Sequence, residues 1–473
     1  MQKDTYERVS VEELRYPSPL DLSPVRITAL ARATEHYKGA VDELEVTIQS
    51  LTAERDAALF ELFKIRALQA PVRRVPPEIL SAIFEMVVEG CGGALEVGRA
   101  AAAFRSVCVF WDIVASDTPR LWSAACTVPW ADQQSHLQQN ITRSRSLPMT
   151  LEDGWSSQWD RSAAMRRLFS ENDIATSTFE QLVGSGHRFS TLALSASWRC
   201  FATCGVPERF ALLTTVELRL GGGADGAALL WLQHAEALHT LKLRFDHVHI
   251  PGSFELQVPD LPRLTSLSIR GLTRGTLRFL TSAVRSCSRV RDLVVGARMG
   301  DIPGDTALDA VEAIDMPALA TLTLERHTSL LLATIRAPQL KRLRLKDFDH
   351  GPHGIPHLRT LLERTDAQPR LEALLIERVD SGLPETEGDL QACLERLRSL
   401  RVLRIDDNAT HGRPFGSVIL FGRLVQRPQE EPLLPSLGSF TYVPGSAVWD
   451  PDVLLAFRMF VATRGWPVSV DAA

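Results

Sequence analysis

An apolar pattern, L-x-x-L-x-L with aliphatic or aromatic substitutes, recurs through most of the chain. Its instances are Phe189-Leu192-Leu194, Leu213-Val216-Leu218, Leu238-Leu241-Leu243, Leu264-Leu267-Ile269 and Val290-Leu293-Val295. They continue as Leu319-Leu322-Leu324, Leu340-Leu343-Leu345, Leu371-Leu374-Ile376, Leu400-Leu403-Ile405 and Leu437-Phe440-Tyr442. Successive instances start about 28 residues apart on average, a period that marks arrays of stacked units. Spacing of two puts the last pair of apolar residues on one side of a strand. One short strand cannot cover that side alone, so copies must stack on one another. The expected fold class is α/β: a solenoid over residues 125–473, with parallel strands on the concave side and helices on the convex side. Met149-Thr150-Leu151 reads as an earlier, degenerate strand.

Between strands, Gly226–Ala237 and Thr276–Ser286 carry apolar residues at helical spacing, which predicts helices packed behind the sheet. The array resembles irregular leucine-rich repeats. It departs from the family's pattern where an asparagine is usual: that place holds Asp246, Leu272, Arg298, His327, Phe348 and Val379, and only Asn408 conforms. Residues between and after the leucines point away from the core. Among them Lys242, Arg244, Arg270, Arg342, Arg344, Lys346 and Arg404 are basic. They form the expected substrate face, suited to an acidic or phosphorylated protein, because guanidinium groups grip phosphate bidentately. Pro451–Phe460 predicts a helical cap for the open end, and Trp466–Val470 a last strand.

The N-terminal part is organised differently. Residues 1–27 hold Pro17, Pro19 and Pro24 without sustained periodicity and read as a flexible tail. Residues 28–70 lack proline, and Tyr37, Val41, Leu44, Ile48, Leu51, Ala58, Leu62 and Ile65 step by threes and fours. This predicts one long amphipathic helix that either pairs as a coiled coil or packs on its own domain. Pro71 ends it.

Residues 71–124 then carry three elements in order. Val75-Pro76-Pro77-Glu78-Ile79-Leu80 opens a helix, with prolines where a missing N–H costs little and an acid where the dipole favours it. Ile83 and Phe84 continue its apolar stripe. A second helical stretch holds Phe104, Val107, Cys108, Trp111 and Ile113, and Pro119-Arg120-Leu121-Trp122 follows. Together these resemble the F-box, in the arrangement common in mushroom-forming fungi, with Val75 where the family usually has leucine. The resemblance implies that Pro76, Pro77, Glu78, Ile79, Leu80, Ile83, Phe84, Val107, Cys108, Trp111, Ile113, Leu121 and Trp122 divide between a small core and a surface for the Skp-type adaptor of a cullin–RING ubiquitin ligase.

Other classes find little support. Net charge is −5, from 52 basic and 57 acidic residues, so no global basic field suits nucleic acid. No apolar run is long enough for a membrane span. Seven scattered cysteines and a start without an apolar signal core predict a reduced protein of the cytoplasm or nucleus. No phosphate loop, zinc-helix or nucleophile-elbow motif occurs. Gly221, Gly223 and Gly226 match a dinucleotide-loop spacing but fall between two strands of the repeat. His247 and His249, and His350, His353 and His357, read as loop residues, and Cys200 with Cys204 lacks a second pair. No catalytic residue, metal or cofactor is expected. The expected role is a non-catalytic, substrate-recognition subunit of an SCF-type ligase. The alternative is a repeat scaffold that self-associates through the N-terminal helix and has no ligase role.

Overall fold

The computed structural model describes residues 24–69, 71–127, 133–153, 188–197, 210–221, 227–245, 256–272, 283–297, 313–348, 354–364, 370–379, 384–406, 421, 424, 433–443 and 451–464. The chain divides into two units, Met1–Leu80 and Ser81–Ala473.

The first unit is dominated by α1, Pro24–Gln69, a helix of 46 residues. At 1.5 Å per residue it is about 69 Å long. Pro24, read from sequence as tail, instead opens the helix, where its fixed φ suits the first position. The rest of the expected tail, residues 1–23, lies outside the described residues. Apart from Ala33 and Ala40, every side chain described on α1 is exposed. A 3-10 turn, Pro71–Arg74, separates α1 from α2, Pro77–Glu89.

In the second unit the remainder of α2 is followed by α3, Ala94–Val107, α4, Val109–Asp117, and a 3-10 turn at Pro119–Trp122. The single stretch expected through Phe104–Ile113 is therefore two helices. Cys108 is extended, with φ −167° and ψ 167°, and its carbonyl accepts the first α4 bond from Asp112 N–H at 3.0 Å. β-branched Val107 and Val109 flank it, and such residues resist helix more than most. After β1, Ala124–Thr127, comes α5, Gln133–Arg143.

A twelve-stranded sheet follows the chain. Its next members are β2 (Met149–Asp153), β3 (Phe189–Ser197) and β4 (Thr215–Gly221). Ala227–Ala228 is β5, Thr240–Phe245 β6, Leu256–Gln257 β7, Ser266–Leu272 β8 and Asp292–Ala297 β9. Ile314–Asp315 is β10, Thr321–Glu325 β11, Ile335–Arg336 β12 and Arg342–Phe348 β13. Helix α6 (Gly354–Arg364), β14 (Ala373–Val379), α7 (Pro384–Arg396), β15 (Val402–Asp406), β16 (Ser439–Val443) and α8 (Pro451–Thr463) complete the order. The large sheet runs β1-β2-β3-β4-β6-β8-β9-β11-β13-β14-β15-β16, and β5 with β7 and β10 with β12 make two short ribbons.

Every neighbouring pair in the large sheet is parallel, and the register aligns apolar residue with apolar residue. One ladder passes through Leu241, Leu267, Leu293, Leu322, Leu343, Leu374 and Leu403. All are buried in one continuous core. A one-residue slip would turn that ladder to solvent, which fixes the register.

Phe189 apart, the first apolar residue of each instance lies before its strand, and in most instances a tight turn holds it. Leu213 N–H bonds Phe210 O, Leu238 bonds Ala235, Leu264 bonds Leu261, Val290 bonds Cys287 and Leu400 bonds Leu397. The repeat thus has a fourth apolar position, three residues ahead of the first. It is filled by residues as different as Phe, Ala and Cys, and this variety hides it in the sequence.

The helix expected over 226–237 is replaced by β5 and a 3-10 turn at Leu230–His234. Leu229, Leu232 and Ala235 are all buried at spacing three, the period of a 3-10 rather than an α-helix. Of the helix expected over 276–286, residues 283–285 are helical and 276–282 lie outside the described residues, as does the strand expected at 466–470. The helix expected over 451–460 is present as α8, in which Phe457, Phe460 and Val461 are buried.

Candidate functional site

Two surfaces carry the residues singled out by sequence. On the helical segment of the second unit, Phe84 is completely buried. Its ring stacks on Phe104 at 4.2 Å and meets Trp111 edge-on at 5.1 Å. Val114, Ala115, Leu121 and Trp122 are buried with it. The Trp122 indole N–H donates to Ala115 O at 2.9 Å, and the Ser81 and Thr118 hydroxyls are 2.8 Å apart. Helices α2, α3 and α4 therefore share a small aromatic core.

This core leaves large apolar residues uncovered. Ile83, Met86 and Val87 on α2 are exposed, and so is Ile79 one turn earlier on the same helix. Their spacing of four, seven and eight from Ile79 makes one stripe. Val107 ends α3 exposed, and Val109 and Ile113 are exposed a turn apart on α4. Met86 and Val109 retain 71% and 77% of their surface. Pro76, Pro77 and Glu78 are exposed as well, whereas Cys108 and Trp111 are half-buried and Leu80, Phe84, Leu121 and Trp122 are buried. Burial thus separates these residues into buried, half-buried and exposed sets. Met86, Val87 and Val109 belong to the exposed set and were not among the expected site residues. For Met86 and Val87 the signal was the continuation of the Ile79–Ile83 stripe by one more turn.

Charged residues fringe this region. Arg120 pairs with Glu89 at 2.8 Å, and Arg105 with Asp112 at 2.6 Å. Glu152 on β2 accepts from Ala94 N–H at 2.7 Å, placing a carboxylate on the N-terminus of α3 and tying the helices to the sheet.

The second surface is the polar side of the sheet. Lys242, Ser268, Val294, Thr323, Arg344, Leu375 and Arg404 form one row across it. Arg219, Arg244, Arg270, Gly296, Glu325, Lys346, Glu377 and Asp406 form the next. Most of the basic residues have acidic neighbours. Lys242 lies 3.5 Å from Glu217, and Arg404 lies 4.0 Å from Asp406. Arg344 donates to Glu377 Oε2 through Nε and Nη2, at 3.0 and 2.6 Å. Arg270 reaches Glu325, two strands away, at 3.0 Å. Gly296 stands between them, and a Cβ there would come within 3.0 Å of Glu325 Oε2. Asp347 pairs with Arg378. Among the described residues, Arg342 and Lys346 have no carboxylate within ion-pair distance. The face is therefore a mosaic of ion pairs more than a basic stripe, because sequence spacing alone does not show which acid lies across the ladder.

The remaining motifs assemble nothing. Gly221 closes β4, while Gly223 and Gly226 lie outside the described residues, as do Cys200, Cys204, His247, His249, His350 and His353. His357 sits on α6. Among the described residues no group of three or more His, Cys, Asp or Glu is placed to hold a metal ion. Nor is any described helix long and apolar enough to cross a membrane. Burial, with Asp260 adding to it, pushes the Cys287 thiol up to about 12, and burial with Asp389 does the same to Cys393. Both are poor nucleophiles in consequence. No protein-family model matches the chain, and no curated protein matches it either.

Proposed function

We propose that the protein is the substrate-recognition subunit of an SCF-type cullin–RING ubiquitin ligase. The supporting observation is that Ile83, Met86, Val87, Val107, Val109 and Ile113 stay exposed on the three helices that share the Phe84–Phe104–Trp111 cluster, a set we read as one apolar ridge. A well-packed monomer surface rarely leaves so many large apolar groups together, and a second subunit supplies what they lack. On this reading residues 71–124 are an F-box and the ridge receives the Skp-type adaptor. The parallel sheet is the inner face of a leucine-rich-repeat solenoid. Its mosaic of charges, with Arg342 and Lys346 as unpaired cations, holds a protein substrate. The gain is proximity, a high effective concentration of target near the ubiquitin carrier, without chemistry by this chain. A role of this kind belongs in the cytoplasm or nucleus.

Binding of purified adaptor to the full chain tests the reading. Ile83→Asp with Val109→Asp lowers affinity about a hundredfold or more, as loss of a central anchor pair does. Both positions are exposed, so the melting transition stays where it is. Leu80→Ala is the wrong probe, since Leu80 is buried and its truncation costs folding stability. Absence of adaptor binding by the wild type, or unchanged binding by the double variant, overturns the proposal.

A further inference from the structure

We infer that α1 is one strand of a parallel, in-register, two-stranded coiled coil formed with a second copy of this chain. An uncovered seam runs along α1. Positions 27, 30, 34, 37, 41, 44, 48, 51, 55, 58, 62 and 65 alternate steps of three and four without interruption. That is a 3.5-residue period, the one that keeps a stripe facing a partner helix. The large apolar residues on it, Ile27, Leu30, Tyr37, Val41, Leu44, Ile48, Leu51, Leu62 and Ile65, each keep between 40% and 62% of their surface exposed. A stripe about 57 Å long at 1.5 Å per residue is far more apolar surface than a solitary helix carries stably in water.

The residue types choose the occupant. In this frame the a positions Ile27, Val41 and Ile48 are each followed by leucine at d, Leu30, Leu44 and Leu51, while Thr34–Tyr37 is mixed and Leu62–Ile65, at the C-terminal end, has the reverse order. β-branched residues at a with leucine at d favour two parallel strands over three or four. Arg55 occupies an a position. A single charged group there disfavours higher oligomers, which bury that position more fully, and pins the register. Glu54, at the preceding g position, supplies a carboxylate from each chain to the partner's guanidinium. Glu61 at g and Arg66 at e are five residues apart, the separation that meets across a parallel pair. An antiparallel pair about the seam's midpoint would set Arg55 opposite Tyr37 and Arg66 opposite Arg26, and would lose the Glu61–Arg66 pair. Phe60 and Phe63 lie off the seam.

The pairing is independent of the ligase reading and is tested without the adaptor. Sedimentation equilibrium of the full chain at micromolar concentration gives twice the monomer mass. Leu44→Asp with Leu51→Asp weakens the dimer more than about a hundredfold, because each charge must be buried. Arg55→Ile tightens it about tenfold or more, an effect that an exposed, unpaired helix does not show. Leu30→Cys reports direction: mild oxidation links a parallel pair at this position, while an antiparallel pair brings the two cysteines to opposite ends. α1 contains no cysteine of its own, so the wild type is the blank. A monomeric or trimeric wild type, a dimer indifferent to the aspartates, or a dimer that Leu30→Cys fails to link each overturns the proposal.

Discussion

Gly271 has a φ of +76° where β8 shifts register against β9 between Arg270 and Leu272. The extra residue is a bulge, and only glycine takes this backbone without strain. Space decides the matter as firmly as conformation: a Cβ at 271 would strike the Phe245 carbonyl oxygen on the adjacent strand β6. Since that oxygen belongs to backbone in the middle of the sheet, it has nowhere to go. Gly271→Ala should therefore cost about 3 kcal/mol or more, read as a lower urea midpoint at unchanged slope. The requirement is invisible in the sequence, where Gly271 is one more glycine after an arginine, because it is set by a strand some 26 residues earlier. The same holds for the charges. Arg344 was legible as a basic residue on the polar side of a strand, but the Glu377 beside it is 33 positions away and emerges only with the register. Leu80 and Ile83 make the point on one helix. Both belong to an apolar stripe, yet Leu80 is buried and Ile83 exposed, a difference that the periodicity of the stripe does not carry.

At the scale of elements, the strands were the most legible part. Their period of two carries its own register, and all ten instances of the repeat, with the degenerate one at Met149, became strands of the large sheet. β1 was missed because Ala124–Thr127 is short and offers a single small apolar residue, Ala125, to the core. The connections were less legible, since a spacing of three or four suits an α-helix and a 3-10 turn alike until backbone bonds separate them. How the helical segment is joined to the sheet could not be read at all. Glu152 provides that joint, with its carboxylate at the Ala94 N–H and its Oε2 where a side chain on Gly93 would have to go. A capping carboxylate contributes about 1 kcal/mol, and its charge also suits the positive end of α3. Glu152→Ala accordingly lowers stability by about that amount, whereas Glu152→Gln keeps the hydrogen bond and loses less. Hydrogen exchange at the first turn of α3 rises in both variants and rises more in the alanine. An equal rise in the two would mean that the charge alone acts there, and no rise in either that neither charge nor hydrogen bond does.

For the second unit as a whole, strand order equals chain order, so each strand has only its sequence neighbours to lean on. Stability in such an arrangement is close to a sum of local terms and nearest-neighbour terms. Damage should therefore stay near its origin, and the C-terminal end is the place to see it. There β16 presents Phe440 and Tyr442 in register with Leu403 and Ile405. Phe421 packs on Tyr442 at 5.3 Å and on Phe457 of α8 at 5.5 Å, and Phe460 meets Phe440 at 5.2 Å. These rings do for the last strand what the next strand does for all the others. Phe460 is fully buried, so Phe460→Ala removes about 3–5 kcal/mol from the cap. With nearest-neighbour coupling, amide exchange accelerates strongly in residues 439–443, less in 402–406, and not at all in 215–221 or 192–197. A protein whose sheet unfolds as one cooperative block would instead show the same acceleration in every strand. The pattern of exchange along the chain thus measures how far one strand feels another, which sets how independently the two ends of the sheet open.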